Sequence, residues 1–227
     1  MLIEAARDLY YRSPVELQNF VLVRRRSPIW LRAGIVFVHV PKVAGTSFNQ
    51  ALYGRFMGHI PASSIRRWAS ANVRALPSFA VTRNPWDRLV SAYRFVKQGG
   101  GSGGAITAGV WRPERYRCPE FQSFERFVVE WLSEHRIGPI EHHFRPQTSY
   151  LCDASGKLLV DHVGRVENLE PTFDFLRENL HEIRTLPDSN RSGDAVDYRS
   201  FYTPKLVDLV GSIYAQDVKT LGYAFED

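Results

Sequence analysis

The sequence predicts an α/β fold, a mainly parallel central sheet with helices on both faces, and three observations carry that prediction. Short apolar runs at residues 36–40, 79–82 and 158–163 read as strands, and helical patterns follow the first two directly. Strands that alternate with helices connect by crossovers, which sets them parallel in one sheet. Length is the third: 227 residues at 44% hydrophobic content can bury one full core, and two domains would be cramped.

In chain order, residues 1–32 read as a helical or irregular arm, with Arg24, Arg25 and Arg26 on a solvated face. The first strand turns at Pro41 into a small-residue loop that opens a helix. Pro41, Lys42, Val43, Ala44, Gly45, Thr46 and Ser47 form a candidate phosphate cradle. Gly45 lets the backbone approach a ligand, Thr46 and Ser47 place amides and hydroxyls at the positive helix end, and Lys42 adds a full charge. The loop departs from GxxxxGK[ST], because its lysine precedes the glycine and no glycine opens it, which disfavours an ordinary ATPase or GTPase. A buried strand followed by an ordinary turn is the plain alternative. Residues 51–75 suggest helical segments broken at 58–61.

The second strand repeats the pattern. Asn84 caps and Pro85 starts a helix whose apolar face carries Leu89, Val90 and Tyr93. Arg83 leaves the strand end just before that helix, and Ser91 lies about two turns along it. The two reach one phosphate group only if the helix leans over the strand end; a surface ion pair of Arg83 with Asp87 is the alternative. Residues 98–118 read as a flexible loop, since 98–105 run Gln-Gly-Gly-Gly-Ser-Gly-Gly-Ala, suited to a mobile lid or a plain insertion. Residues 121–136 then form an amphipathic helix with Phe124, Phe127, Val128, Trp131 and Leu132 inward. After the third strand, a helix over 171–180 turns Phe173, Leu176 and Leu180 inward. Thr203 caps a last helix begun by Pro204, with Leu206, Leu209, Val210, Ile213 and Tyr214 along it.

Charge is uneven. Residues 1–117 hold 18 Lys and Arg against 5 Asp and Glu, and residues 118–227 hold 11 against 19. The halves are +13 and −8, as expected if the first half lines a site for a polyanionic nucleotide. Nucleic acid is a weaker partner, because no helix-turn-helix, zinc or single-strand-binding signature accompanies the arginines. Cys118 and Cys152 make no disulfide framework and read as free thiols. The absence of a signal-like or membrane-length apolar run points to the cytoplasm, although a lumenal catalytic domain without its anchor would look the same.

Sites in such folds lie at the carboxyl ends of strands, where both phosphate motifs fall. The pair resembles the nucleotide-binding motifs of sulfotransferases that use 3'-phosphoadenosine 5'-phosphosulfate, PAPS. Pro41-Lys42-Val43-Ala44-Gly45-Thr46-Ser47 is similar to the family's 5'-phosphosulfate loop, and Arg83-Asn84-Pro85-Trp86-Asp87-Arg88-Leu89-Val90-Ser91-Ala92-Tyr93 to its 3'-phosphate motif. Downstream, His143-Phe144-Arg145-Pro146-Gln147, Leu151-Cys152, the stretch from Val163 to Glu170, Asn190-Arg191-Ser192, Tyr214-Ala215-Gln216-Asp217 and Gly222-Tyr223 resemble, in order, the carbohydrate branch with the chondroitin and HNK-1 type enzymes. The resemblance covers residues 33–225. It implies a P-loop-like three-layer fold in a single sulfotransferase domain. It also implies PAPS as donor, a carbohydrate or glycan-like hydroxyl as acceptor, and Asn190, Arg191 and Ser192 among the donor-binding residues. A phosphotransferase with a related cradle and a non-catalytic nucleotide- or nucleic-acid-binding module are the alternatives.

Sulfuryl transfer needs charge stabilisation at the leaving phosphate, a task for Lys42 and the amides of Gly45 to Ser47, and a base for the acceptor hydroxyl. Histidine suits that role, with an acid limb expected around pH 6 to 7. The resemblance favours His143, at the place of the histidine in the branch's His-aromatic-x-Pro pattern. His142 follows, then an acid such as Glu141 or Asp87. His39 would contact the nucleotide or be structural, His162 sits in a strand, and His59, His135 and His181 have no supporting context. The His142–His143 doublet is not read as a metal site, since adjacent histidines point apart on a regular backbone and lack partners at useful spacing. PAPS carries its own good leaving group, so no metal is required.

Overall fold

The computed structural model describes residues 13–100, 110, 112–134, 142–180 and 197–227. Its sheet has three parallel strands, β1 (Val36–Val38), β2 (Ser78–Thr82) and β3 (His162–Arg165), in the order β1-β2-β3. Phe37 pairs with Phe79, and Val81 with Gly164. The third strand starts later than its apolar run suggests. Residues 158 and 159 pair instead with the chain before them, through a bridge of Leu158 to Cys152 and a bond from Leu159 N to Leu151 O (2.8 Å). The free edge of β1 is closed by the Tyr53 hydroxyl, which accepts from Phe37 N (2.8 Å) and donates to Ile35 O (3.1 Å).

Of the two forms expected for residues 1–32, the described part takes the helical one. It forms α1 (Val15–Ala33), which ends at Gly34 in the left-handed region (φ 73°) and buries Val23 and Trp30 in the core. The loop after β1 feeds α2 (Gly45–Tyr53), and α3 (Ala62–Trp68) and α4 (Ala71–Arg74) follow the break at 58–61. Both sheet faces are covered, as continuous burial of β1 requires. On one, Phe37 meets Phe48 of α2 (ring centroids 5.4 Å) and Phe79 meets Phe175 (6.2 Å) of α8 (Glu170–Asn179). On the other, Val36 and Val38 line a small hollow with Ala62 and Ile65 of α3. At Gly164 of β3 a Cβ would sit 1.8 Å from Thr172 Oγ1, so only glycine lets α8 approach.

A second apolar cluster grows around α5 (Pro85–Lys97). Asn84 caps this helix, its Oδ1 accepting from Trp86 N (3.0 Å). The expected amphipathic helix is α6 (Phe124–Arg126), continuing as a π-helix over Phe127–Leu132. All five expected residues are buried, and Phe121, Phe127, Trp131 and Phe144 form a ring cluster with centroids 4.9 to 5.6 Å apart between Phe121, Phe127 and Trp131. Part of the expected flexible loop is fixed: Pro113–Tyr116 is a 3-10 turn with Tyr116 buried. Residues 101–109 and 111 lie outside the described residues. The chain closes through α7 (Thr148–Leu151), α9 (Pro204–Ile213), capped by Thr203, and α10 (Ala215–Leu221). Among the described residues no helix is long and apolar enough to cross a membrane.

Candidate active site

Between β1 and α2 the backbone adopts positive φ at Lys42 (70°) and Ala44 (59°). Non-glycine residues there cost on the order of 1 to 3 kcal/mol each, and such strain persists only where the surroundings hold it. Gly45 has a packing role of its own beside the expected ligand approach. A Cβ on it would lie 2.1 Å from His39 Cδ2, so the glycine makes room for the His39 ring. Ala44 gives α2 no side-chain cap, which leaves the positive helix end for an anion. Thr46 is exposed and Ser47 half-buried at that end. Lys42 Nζ lies 3.9 Å from the centre of the Phe95 ring on α5. Burial, then the nearby Arg83 charge, bring the Lys42 ammonium down to about 8.

Next to it stand four imidazoles. Ring centroids are 4.3 Å apart for His39 and His59, 5.2 Å for His59 and His142, and 3.9 Å for His142 and His143. The doublet therefore does not splay: the turn at 142–145 lays the two rings together. Among the described residues no three His, Cys, Asp or Glu side chains are arranged to hold a metal.

Hydrogen bonds fix two of the tautomers. Asn49 Oδ1 accepts from Met57 N (3.2 Å), so Asn49 Nδ2 is the donor to Gly45 O (2.9 Å) and to His39 Nδ1 (2.8 Å). His39 Nδ1 is thus an acceptor, and burial, His142 and Lys42 hold the ring neutral with a value of about 3. His59 Nδ1 donates to His39 O (2.9 Å), which leaves His59 Nε2 as the lone-pair nitrogen. His143 is buried with Nδ1 unpartnered, its ring 5.0 Å from Phe95. Burial first, then the neighbouring histidines, push both His59 and His143 well below the ordinary imidazole range, with Lys42 and Arg88 adding to the shift of His143. Sequence reasoning passed over His59; its one local signal was its place in the Gly58–Pro61 break, where loops carry function.

The second loop leaves the adjacent strand. Arg83 forks onto Asp87 through Nε and Nη2 (both 2.7 Å), with the two side chains 25% and 23% exposed. The ion pair weighed as an alternative therefore exists, half-buried. The third guanidinium nitrogen, Arg83 Nη1, lies 3.5 Å from Lys42 O and links the two loops. Ser91 is half-buried on α5.

The downstream motifs converge beneath Arg83. Gln147 Oε1 accepts from Arg83 N (3.0 Å) and Gln147 Nε2 donates to Arg83 O (2.8 Å). Glu167 Oε1 accepts from Asn84 N (2.7 Å), and the Tyr223 hydroxyl bonds Thr82 Oγ1 (2.9 Å). Arg88, fully buried, donates to His143 O (3.1 Å) and Arg145 O (2.7 Å), which holds the histidine turn. Asn190, Arg191, Ser192, Glu141, His135 and His181 lie outside the described residues. Two hollows, one under Ile65 and Leu76 and one between Lys97 and Gln122, are lined by none of the motif residues.

A family model described as the sulfotransferase family matches residues 31–224. No curated protein and no solved structure matches significantly. With that match running through both candidate phosphate loops, the histidine turn and the closing Asp217 and Tyr223, the chain belongs to the sulfotransferase family.

Proposed function

We propose that the sulfuryl donor is PAPS and the acceptor a hydroxyl of a carbohydrate or glycan-like molecule. The observation that carries this reading is the pair of cationic loops at neighbouring strand ends, joined by the Arg83 contact to Lys42 O. A nucleotide with phosphates on both sides of its ribose needs two such points; a nucleoside triphosphate needs one. In this reading the 3'-phosphate takes Arg83 and Ser91, and the 5'-phosphosulfate takes Lys42 and the open amide end of α2, with Asn190, Arg191 and Ser192 assigned to the donor on motif resemblance alone.

In the reaction the acceptor oxygen attacks sulfur, the bond from sulfur to the 5'-phosphate oxygen breaks, and the hydroxyl proton passes to a base. Lys42 meets the charge growing on the leaving oxygen. His143 was favoured for the base on motif position, but geometry supports His59 better. Its Nδ1 is engaged by a carbonyl and its Nε2 is free to accept, the orientation logic of a base held in one tautomer. Titration with adenosine 3',5'-bisphosphate, adenosine 5'-monophosphate and ATP tests the donor. The bisphosphate should bind tightest; equal or tighter ATP binding would favour a phosphotransferase. An acceptor screen with labelled sulfate donor tests the other half.

A further inference from the structure

Asp217 lies on α10, far along the chain from both phosphate loops, and is fully buried. Its carboxylate accepts from Gln147 N (2.7 Å), Thr148 N (2.9 Å) and Thr148 Oγ1 (2.8 Å). This is the bonding of a helix cap supplied from elsewhere in the chain. Gln147 occupies the N-cap position of α7 and makes no cap bond with its own side chain. Relieved of that role, the Gln147 amide reads both main-chain groups of Arg83, N–H and C=O, as a neighbouring strand would. Gln147 is itself fully buried, so the amide has no water to exchange with. The main chain of Arg83 is therefore set by Gln147, and Gln147 by Asp217.

We propose that Gln147 and Asp217 are positioning residues of the 3'-phosphate subsite, Asp217 holding Gln147 and Gln147 holding Arg83 at the angle that selects a 3'-phosphorylated nucleotide. The inference rests on the donor reading above. Its mark is selectivity rather than affinity. In that reading the 3'-phosphate is the group Arg83 takes directly, and the 5' loop meets Arg83 only through the long Nη1 contact to Lys42 O (3.5 Å), so loosening the Arg83 main chain costs binding chiefly when a 3'-phosphate is present.

The test is calorimetric titration of wild type, Gln147→Ala and Asp217→Asn with adenosine 3',5'-bisphosphate and with adenosine 5'-monophosphate, alongside melting temperatures. Two lost hydrogen bonds should lower the bisphosphate-to-monophosphate affinity ratio about tenfold in Gln147→Ala, with monophosphate binding unchanged. Asp217→Asn, which replaces one acceptor oxygen by a donor facing an N–H, should move the ratio in the same direction and less. A ratio equal to wild type in folded variants, with only the melting temperature lowered, would overturn the positioning role. A wild-type ratio near one would instead overturn the donor assignment, so the two failures are distinguishable. Should Gln147→Ala not fold, Gln147→Met, which keeps the volume and drops both bonds, gives the same reading.

Discussion

The two phosphate loops sit at neighbouring strand ends and are built on opposite principles. The loop at 41–47 spans two left-handed residues, Lys42 and Ala44, and leans on the His39 ring through the gap that Gly45 leaves. The loop at 82–84 carries no positive φ and is gripped by Gln147, Glu167, Tyr223 and the carbonyl of Ala224. The first stores strain beside the proposed reacting centre, and the second distributes its position over distant parts of the chain. Such a division suits an enzyme that must hold a nucleotide still while one bond breaks: rigidity belongs at the recognition end, and an adjustable charge at the reacting end.

The largest effect should come from the histidines beside the strained loop. A general base contributes on the order of 10² to 10⁴ in rate. His59→Ala should lose that much in kcat with donor affinity nearly intact, whereas His143→Ala, a buried ring packed on Phe95, should lose less rate and more thermal stability. The reverse ranking in single-turnover rates would return the base to His143. Because burial lowers both groups, the acid limb of kcat/KM should fall below the pH 6 to 7 expected of an ordinary histidine. The sign follows from the neutral form being the base: activity is present above the folded value and is lost as pH falls through it.

Lys42→Ala should come next, at about 10² to 10³ in kcat, with donor binding also weakened. Its titration gives an independent reading. The ammonium is charged below about 8 in the free enzyme, so kcat/KM should decline on the alkaline side near that value. Lys42→Arg, whose guanidinium does not titrate there, should keep residual activity that is flat across pH 7 to 9. An alkaline limb that persists in Lys42→Arg would belong to some other group.

Much of this frame was legible in the sequence, and the reasons are local. Asn84 and Pro85, or Thr203 and Pro204, announce helix starts because capping is decided within four residues. The parallel sheet followed from alternation, and the five inward residues of 124–132 from periodicity, although nothing in periodicity revealed the π winding. What depends on distant parts of the chain did not show. His59 is far in sequence from His142 and His143, and no spacing links them. Gln147 and Asp217 stood in the motifs without a role, since only the fold brings a carboxylate from α10 under a turn at 147. The packing role of Gly45 did not show because the ring that needs its space comes from His39, six residues earlier at the strand end.

The smallest effects sharpen the contrast at the rigid loop. Arg83→Ala removes a charged donor whose fork is held by Asp87 and should weaken adenosine 3',5'-bisphosphate by about 10- to 100-fold, and should also free the Lys42 carbonyl from its Nη1 contact. Ser91 offers one neutral hydroxyl. At about 1.5 Å of rise per residue it stands roughly 9 Å along α5 from Pro85, so it reaches a phosphate held by Arg83 only from the far side. Ser91→Ala should therefore cost about three- to tenfold in bisphosphate affinity, the worth of one net hydrogen bond, and leave monophosphate binding alone. If the recognition end is as rigid as its clamps imply, Arg83→Ala and Ser91→Ala should add in the double variant, because neither contact can shift to compensate for the other. A double variant no weaker than Arg83→Ala would mean that Ser91 binds only a phosphate already seated by Arg83, and that the 3' loop is less independent of its ligand than its hydrogen bonds suggest.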